Sequence, residues 1–461
     1  MLQERYEIDK TFENILKLTN EMEPVLAQID TVLDDEGLYQ LIRNDFAKRY
    51  PLTEVTGRKS TTVEVILRML TVKRLYGLSY EKTEYQVRDS LVLRQFCRVY
   101  FNQVPDDTTL IRWANLVKPE TLEAYNQRVT QIATELKVTR GRKLRTDGTV
   151  VESNIHAPSD SQLLADSVRV LGRTLQRAKQ ALSKQTELGT QVFRNRTRSA
   201  KRTARKVSQL VTRQKEAWRR AYRKLVKIAQ QSVSQATQVL QALEENNHQQ
   251  SSRLKDTLET FIPRAEQVIE QTIRRVFQGE KVPADEKIVS IFEPHTAIIR
   301  RGKVTKPVEF GRKIWLDEVE GGIVTRWKVL DGNPSDKLMW VPSLDAHQQL
   351  FGKPPTQASA ERGVYSAPNE AEANRRGIKR VDLPKPGKKS EIRRQHEKQP
   401  WFRKARKWHA GVEGRISVLK RCYQFDRCLN HEDDGFHRWV GWAVIAHNLK
   451  KIGSTVAARS G

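Results

Sequence analysis

The sequence predicts a mixed α/β protein with an all-helical N-terminal domain and a long helical insertion. Apolar residues recur at helical spacing through residues 1–140. Runs rich in β-branched residues and bounded by turn residues predict strands within residues 142–156 and 288–330. Between them, residues 162–278 carry apolar side chains at alternating intervals of three and four, the pattern of a coiled coil.

These patterns divide the 461 residues into four segments, and a chain of this length can bury two or three cores. We expect a helical N-terminal domain at 1–140, the first part of an α/β core at 141–161, the helical insertion at 162–284 and the remainder of the core at 285–461.

The charge indicates a polyanionic partner. The 82 Lys and Arg residues outnumber 55 Asp and Glu residues, which gives a formal net charge of +27. Nucleic acid is the default partner for such a chain, although ribosomal, nucleoid and membrane-surface proteins share this signature. Three cysteines exclude a disulfide framework, and neither a signal peptide nor a membrane span is evident, so we expect a soluble cytoplasmic protein.

The N-terminal segment reads as a cluster of short helices. Ser79 is a candidate N-cap for one helix, and Thr108 or Thr109 for another. Such a cluster fits a helix-turn-helix DNA reader and a small helical packing domain equally well.

The first strands of the α/β core surround an Asp-Gly pair. Residues 142–156 predict a strand, a turn at Asp147 and Gly148, and a second strand that carries Glu152. Further strands are expected at residues 288–292, 296–299, 313–316 and 322–330, and an irregular basic connection at 384–407.

The insertion carries a one-sided charge. Between Arg194 and Lys227 there are 14 Lys and Arg residues and one acid, Glu216. Such a run repels itself without a partner, so it favours a surface that contacts DNA phosphates over a merely solvated face. The residues we assign to this surface are Arg194, Arg196, Arg198, Lys201 and Arg202.

Near the C-terminus, residues 412–421 predict a helix with two distinct faces. Glu413, Ser417, Lys420 and Arg421 share one face, because residues three, four and seven apart stack on a helix surface. The opposite face is apolar. A carboxylate near two cations suits a site for a metal and a phosphate, but an ordinary amphipathic helix shows the same spacing.

Four segments together resemble bacterial insertion-sequence transposases of the DDE type. The first-acid motif is TDGTVVESNIH at 146–156, the second is AERGVYS at 360–366, and the third runs from Glu413 to Leu449. Stretches between residues 77 and 110 also resemble the N-terminal domain of these proteins, which is thought to bind the element's ends. The resemblance leaves the insertion uncovered.

The resemblance implies a ribonuclease H-like catalytic core, with Asp147, Glu361 and Glu413 as catalytic residues that hold two Mg²⁺ ions, or Mn²⁺ in their place. It also implies that Lys420 and Arg421 contact a DNA phosphate.

Two departures from the family pattern stand out. The second acid is normally an Asp, and Glu361 is one methylene longer, so Asp331 or Asp336 remains an alternative ligand. Upstream of Glu413, Arg406 and His409 stand where the family often has Tyr and Arg.

The function implied is metal-dependent cleavage at element ends and strand transfer into target DNA. The expected partners are double-stranded DNA, both terminal repeats and target, and further copies of the chain when two ends are synapsed. The alternative is a non-catalytic basic DNA-binding protein derived from a transposase, which the Glu at position 361 keeps open.

Overall fold

A computed structural model describes residues 3, 5–19, 22–50, 55, 61–182, 190–210, 215–244, 249–300 and 307–460. The chain divides into two compact units. The first consists of Met1–Glu152 and Arg312–Gly461, and the second of Ser153–Gly311. No helix among the described residues combines the length and the apolar character that crossing a membrane would need.

The first unit begins with helices, as its apolar periodicity predicts. They are α1 (Lys10–Thr19), α2 (Pro24–Leu33), α3 (Glu36–Ala47), α4 (Val63–Leu75), α5 (Tyr80–Asp89), α6 (Leu91–Phe96), α7 (Asp107–Ala114) and α8 (Pro119–Glu135). Ser79 caps α5 by accepting a hydrogen bond from the Lys82 amide, as predicted. The cap of α7 is Asp106 and not a threonine, because its carboxylate accepts from the Thr109 amide at 2.6 Å.

A mixed sheet follows. Its strands are β1 (Lys143–Ser153), β2 (Ala297–Arg300), β3 (Val308–Val319), β4 (Ile323–Leu330), β5 (Gln357–Ala360), β6 (Arg380–Asp382) and β7 (Arg427–Cys428). In the first unit the order is β4-β3-β1-β5-β6, with β7 also beside β1. Strands β3 and β4 are antiparallel, whereas β1, β5 and β6 run parallel. The chain is therefore α/β, as predicted.

The remaining helices of the first unit cover the sheet. They are α13 (Trp340–Phe351), α14 (Ala367–Arg375), α15 (Glu391–Lys398), α16 (Pro400–Cys422) and α17 (Glu432–Ser460). Trp315 of β3 donates to Ser343 of α13, which places α13 on one face. Arg145 of β1 donates to the Trp408 carbonyl of α16, which places α16 on the other. Side chains alternate along a strand, so neighbouring residues face different helices.

The second unit is a helical body with its own core. Its helices are α9 (Asp160–Leu182), α10 (Thr197–Leu210), α11 (Lys215–Glu244) and α12 (Gln249–Val276). Their apolar residues form one buried cluster, which includes Leu164, Leu175, Leu225 and Val268. The coiled-coil spacing therefore identifies the buried faces of these helices. Strand β2 belongs to this unit and pairs antiparallel with residues 308–311, the start of β3.

Three further local predictions are wrong: the turn at Asp147, the strand at 288–292 and the irregular connection at 384–407. Residues 142–156 contain one continuous strand and no turn at Asp147, because pairing with neighbouring strands overrides the local turn preference. Residues 288–292 are irregular: Ile288 and Ile291 are buried in the helical core, and Gln271 bonds both the amide and the carbonyl of Ile288 in place of a partner strand.

The connection at 384–407 is mostly helical and not irregular. Ser390 caps α15 by accepting a bond from the Arg393 amide. Pro400 occupies the first turn of α16, where its missing amide hydrogen costs nothing. These two start signals explain both helices.

Candidate catalytic site and nucleic-acid interface

Two of the three predicted catalytic acids lie at neighbouring strand positions. The parallel pairing of β1 and β5 reaches Thr146 and Ala360, so Asp147 and Glu361 each follow the last paired residue. Adjacent strands are about 4.8 Å apart, which brings these two acids to one edge of the sheet. Asp147 is half-buried. Side chains two residues apart on a strand point to the same face, so Asp147 lies on the face that Arg145 presents to α16.

Glu361 is held by α16. Its Oε1 atom lies 2.9 Å from Nε2 of His409 and 3.4 Å from Nη2 of Arg406. The bond to His409 lowers the pKa of Glu361 to about 2, against the effect of partial burial. Burial lowers the pKa of His409, so its neutral ring donates from Nε2 to the carboxylate. Arg406 and His409, which depart from the family pattern, thus contact the acid that also departs from it.

The third acid lies one helical turn beyond His409. Glu413 is exposed and sits inside α16, which begins at Pro400, so the helix predicted over residues 412–421 starts earlier than expected. The predicted two-faced helix is otherwise confirmed, since Val412 and Leu419 are buried while Glu413 and Arg421 are exposed. Lys420 lies on the same face, half-buried.

The described residues do not assemble a metal-binding cluster. No three His, Cys, Asp or Glu side chains within them converge closely enough to hold an ion. The donors are nevertheless chemically suited to Mg²⁺, because Asp147, Glu361 and Glu413 offer carboxylate oxygens. For an ion to be bound between them, Glu361 must turn away from His409 and Arg406.

The two alternative ligands lie elsewhere. The Asp331 carboxylate is fully exposed and pairs with Arg312 at 2.5 Å. Asp336 pairs with Lys313 at 2.6 Å. Lys313 and Trp315 are two residues apart in β3, so their side chains lie on the same face of the sheet. This is the face covered by α13, opposite Arg145. This placement favours Glu361 over Asp336.

A further acid escaped the sequence analysis. Asp382 ends β6, and its backbone pairs with that of Ser359 in β5. The side chain is fully buried, and neither carboxylate oxygen has a hydrogen-bond partner among the described residues. Burial raises the pKa of Asp382 to about 7, although Arg406, 3.6 Å away, opposes this. The signal was present in the sequence: an Asp between Val381 and Leu383 at the end of a short strand.

Behind these acids lies a buried ion pair that fixes β1. Arg145 donates to both oxygens of Glu318 in β3, at 2.7 and 3.0 Å. Arg415 of α16 bonds the same carboxylate at 3.1 Å. A buried carboxylate needs such partners because removal from water otherwise penalises its charge. The pair therefore ties β1, β3 and α16 together one layer below Asp147.

In the second unit, α10 presents the predicted basic surface. The helix contains no acidic residue, and it buries Ala200, Ala204 and Val207 while leaving its cations outside. Arg194, Arg198, Lys201 and Arg202 are exposed. Arg196 is half-buried and bonds Gln231 and Gln235 of α11. Four of these basic residues, Arg194, Arg196, Arg198 and Arg202, line an open cleft of about 570 Å³ whose other walls include Gln231.

Comparison with known proteins identifies the N-terminal region. Residues 13–116, from α1 to α7, match the family model of a transposase domain (DUF772). The predicted likeness of residues 77–110 to transposases lies inside this match. No curated protein and no solved structure matches the chain. The match covers none of the sheet, and it supports a transposase family for this chain.

Proposed function

We propose that this chain is a DDE-type DNA transposase with a ribonuclease H-like catalytic core. The observation that carries the proposal is the adjacency of Asp147 and Glu361 on parallel strands, with Glu413 on the helix that holds Glu361. The match to a transposase domain at residues 13–116 independently supports a transposase, without bearing on the catalytic type. A parallel pair, β1 and β5, beside the antiparallel pair β3 and β4 agrees with the expected core.

In the proposed mechanism, Asp147, Glu361 and Glu413 hold divalent metal ions. Bound there, the ions would activate a water or a 3′-hydroxyl and stabilise the oxygen that leaves the scissile phosphate. Lys420 and Arg421 lie two turns beyond Glu413 on the same face and would hold the DNA backbone by charge-assisted contacts. The buried pair of Arg145 and Glu318 would keep β1 fixed, which matters because small displacements of catalytic groups cost large factors in rate.

DNA is the substrate we propose, and α10 is a second contact surface for it. Within α10, five cations are exposed and no acid lies between them, an arrangement that suits phosphate oxygens of either strand: Arg198, Lys201, Arg202, Arg205 and Lys206. Such contacts position the protein without reading sequence, and we assign sequence reading to the N-terminal helices. Synapsis of two element ends implies at least a dimer.

The competing candidate is a non-catalytic DNA-binding protein derived from a transposase. What favours it is the state of Glu361, whose carboxylate is occupied by His409 and Arg406. The test is an assay of nicking, with and without Mg²⁺, on DNA that carries the terminal repeats found on either side of the gene for this chain. Metal-dependent nicking that Asp147→Asn abolishes would establish the enzyme. Specific end binding without nicking, in Mg²⁺ and Mn²⁺ alike, would establish the competitor.

A further inference from the structure

Arg406 lies between two carboxylates on neighbouring strands. Its Nη2 atom is 3.4 Å from Oε1 of Glu361, and its Nη1 atom is 3.6 Å from Oδ2 of Asp382. Nη1 also donates to the Ala360 carbonyl at 2.8 Å, which fixes the guanidinium at the end of β5. A small movement of this group would exchange one carboxylate for the other.

A carboxylate as deeply buried as that of Asp382 is stable in its charged form only if a cation lies beside it. Asp382 is fully buried at the end of β6 beside the Ser359 hydroxyl, and neither oxygen accepts a hydrogen bond of good geometry within the described part of the chain. Burying a carboxylate in this way is costly unless a positive charge is near. Arg406 is the cation that the described residues place within ion-pair distance of it.

The two partners of Glu361 are not equivalent. His409 makes the shorter contact, at 2.9 Å, and is neutral when it donates, whereas Arg406 carries a permanent charge. If Glu361 turns toward a divalent cation, Arg406 loses one of its two carboxylate partners, and without Asp382 it would be an uncompensated positive charge beside the incoming metal. Repulsion between such charges is large at short range inside a protein.

We propose that Asp382 is a positioning residue that takes over Arg406 when Glu361 turns to a metal ion. Asp382 keeps the guanidinium bound at the end of β5 and neutralises it, so that Arg406 neither competes for Glu361 nor repels the ion. This inference rests on the proposed function, because it takes Glu361 to be a metal ligand. It adds a fourth acid that acts through Arg406 and does not touch the metal.

The test is direct measurement of Mn²⁺ binding to the full-length protein at pH 8, by the loss of the free-ion EPR signal. The set comprises the wild type, Asp382→Asn, Arg406→Gln and the double variant. We expect Asp382→Asn to weaken Mn²⁺ binding at least about tenfold, since one uncompensated cation then opposes the ion. Arg406→Gln should bind at least as tightly as the wild type. The double variant should match Arg406→Gln, because there is no cation left to neutralise.

Nicking measured against Mn²⁺ concentration supplies a second readout. Asp382→Asn should need more metal and recover as metal is raised, which a variant with a misfolded core would not do. Binding to end DNA and the thermal unfolding midpoint report on folding. If Asp382→Asn does not fold, Mn²⁺ binding by Arg406→Gln still tests the inference. Weaker binding than in the wild type would contradict the proposed role.

The remaining outcomes are distinct. Unchanged Mn²⁺ binding in Asp382→Asn would overturn the inference and leave the proposed function standing. Equal weakening by Asp382→Asn in the presence and absence of Arg406 would also overturn it, by making Asp382 a ligand or a structural residue. If Asp147→Asn binds Mn²⁺ as well as the wild type does, the metal site itself is wrong, and the proposed function fails with the inference.

Discussion

The Nε2 atom of His409 in α16 lies 2.9 Å from the carboxylate of Glu361, at the end of β5. One helix therefore both carries Glu413 and holds the acid that would work with it. In the structure, protein donors and a cation occupy the Glu361 carboxylate. Under the proposed function, this contact would have to open before Glu361 could bind a metal ion.

Asp147→Asn and Glu413→Gln should each reduce DNA nicking by about 100-fold or more, because each removes a metal-ligating oxygen. Binding to end DNA should change little, since neither acid contacts phosphate. Glu152→Gln is a matched control on the same strand, where the carboxylate pairs with Arg427 at 3.2 Å. Normal nicking by either catalytic variant, measured on end DNA at saturating Mg²⁺, would refute the assignment.

Two substitutions of Glu361 test separately whether nicking depends on the charge of this side chain or on its length. Glu361→Gln should lose nicking to the same extent as Asp147→Asn, because an amide binds Mg²⁺ poorly. Glu361→Asp should retain nicking, because it keeps a carboxylate at the end of β5. The measurement is the single-turnover nicking rate of each variant. Full activity of Glu361→Gln would transfer the role to Asp336 or Asp331, despite their positions.

Removing four exposed cations at and just before the start of α10 should weaken DNA binding without changing sequence preference. Replacing Arg194, Arg198, Lys201 and Arg202 with Gln should flatten the log–log salt dependence by about 0.9 for each lost phosphate contact. Arg196→Gln should have a smaller effect, because Gln231 and Gln235 already engage that guanidinium. A salt titration on end DNA and random DNA is the measurement, with Arg253→Gln in α12 as a control. An unchanged slope would give α10 a structural role instead.

The sequence was sufficient to predict local structure where the pattern of apolar residues reflects burial. The periodicity of residues 162–278 identified the buried faces of α9, α11 and α12. It was insufficient where partners distant in sequence decide the local structure. Gly148 follows Asp147 as in a turn, yet strands beside β1 keep the chain extended. The sequence shows Asp382 between two apolar residues, but it does not show the contact that makes this acid relevant, because Arg406 is 24 positions away.

Acid should destabilise the fold through His447. Burial lowers the pKa of this side chain to about 3, and its Nε2 atom contacts the Gly322 carbonyl at 3.1 Å. The unfolded chain binds a proton near pH 6.5 and the folded chain only near pH 3, so stability falls as pH drops through that interval. Urea unfolding at pH 7.5 and 5 should show a smaller pH dependence for His447→Gln than for the wild type. Equal dependence would mean that His447 titrates normally in the folded protein.

The buried pair of Arg145 and Glu318 should matter for stability. Arg145→Met leaves Glu318 with Arg415 alone, and losing one partner of a buried pair costs about 3–5 kcal/mol. Arg427→Met breaks a partly exposed pair with Glu152 and should cost less than about 1 kcal/mol. The measurement is the free energy of unfolding in urea for both variants. Similar losses would show that the buried pair contributes no more than a surface one.

The placement of the second unit constrains the order of folding. Strand β1 ends at Ser153, and its sheet neighbour β3 begins only at Val308. Closing so long a connection while it is unstructured is entropically costly, with about 0.6 kcal/mol added for each doubling of length. Helices with local contacts form fast and would shorten the effective connection before the strands meet. We therefore expect the insertion to assist formation of the sheet, so that a truncation that unfolds α9–α12 slows sheet formation even if a flexible linker joins β1 to β3.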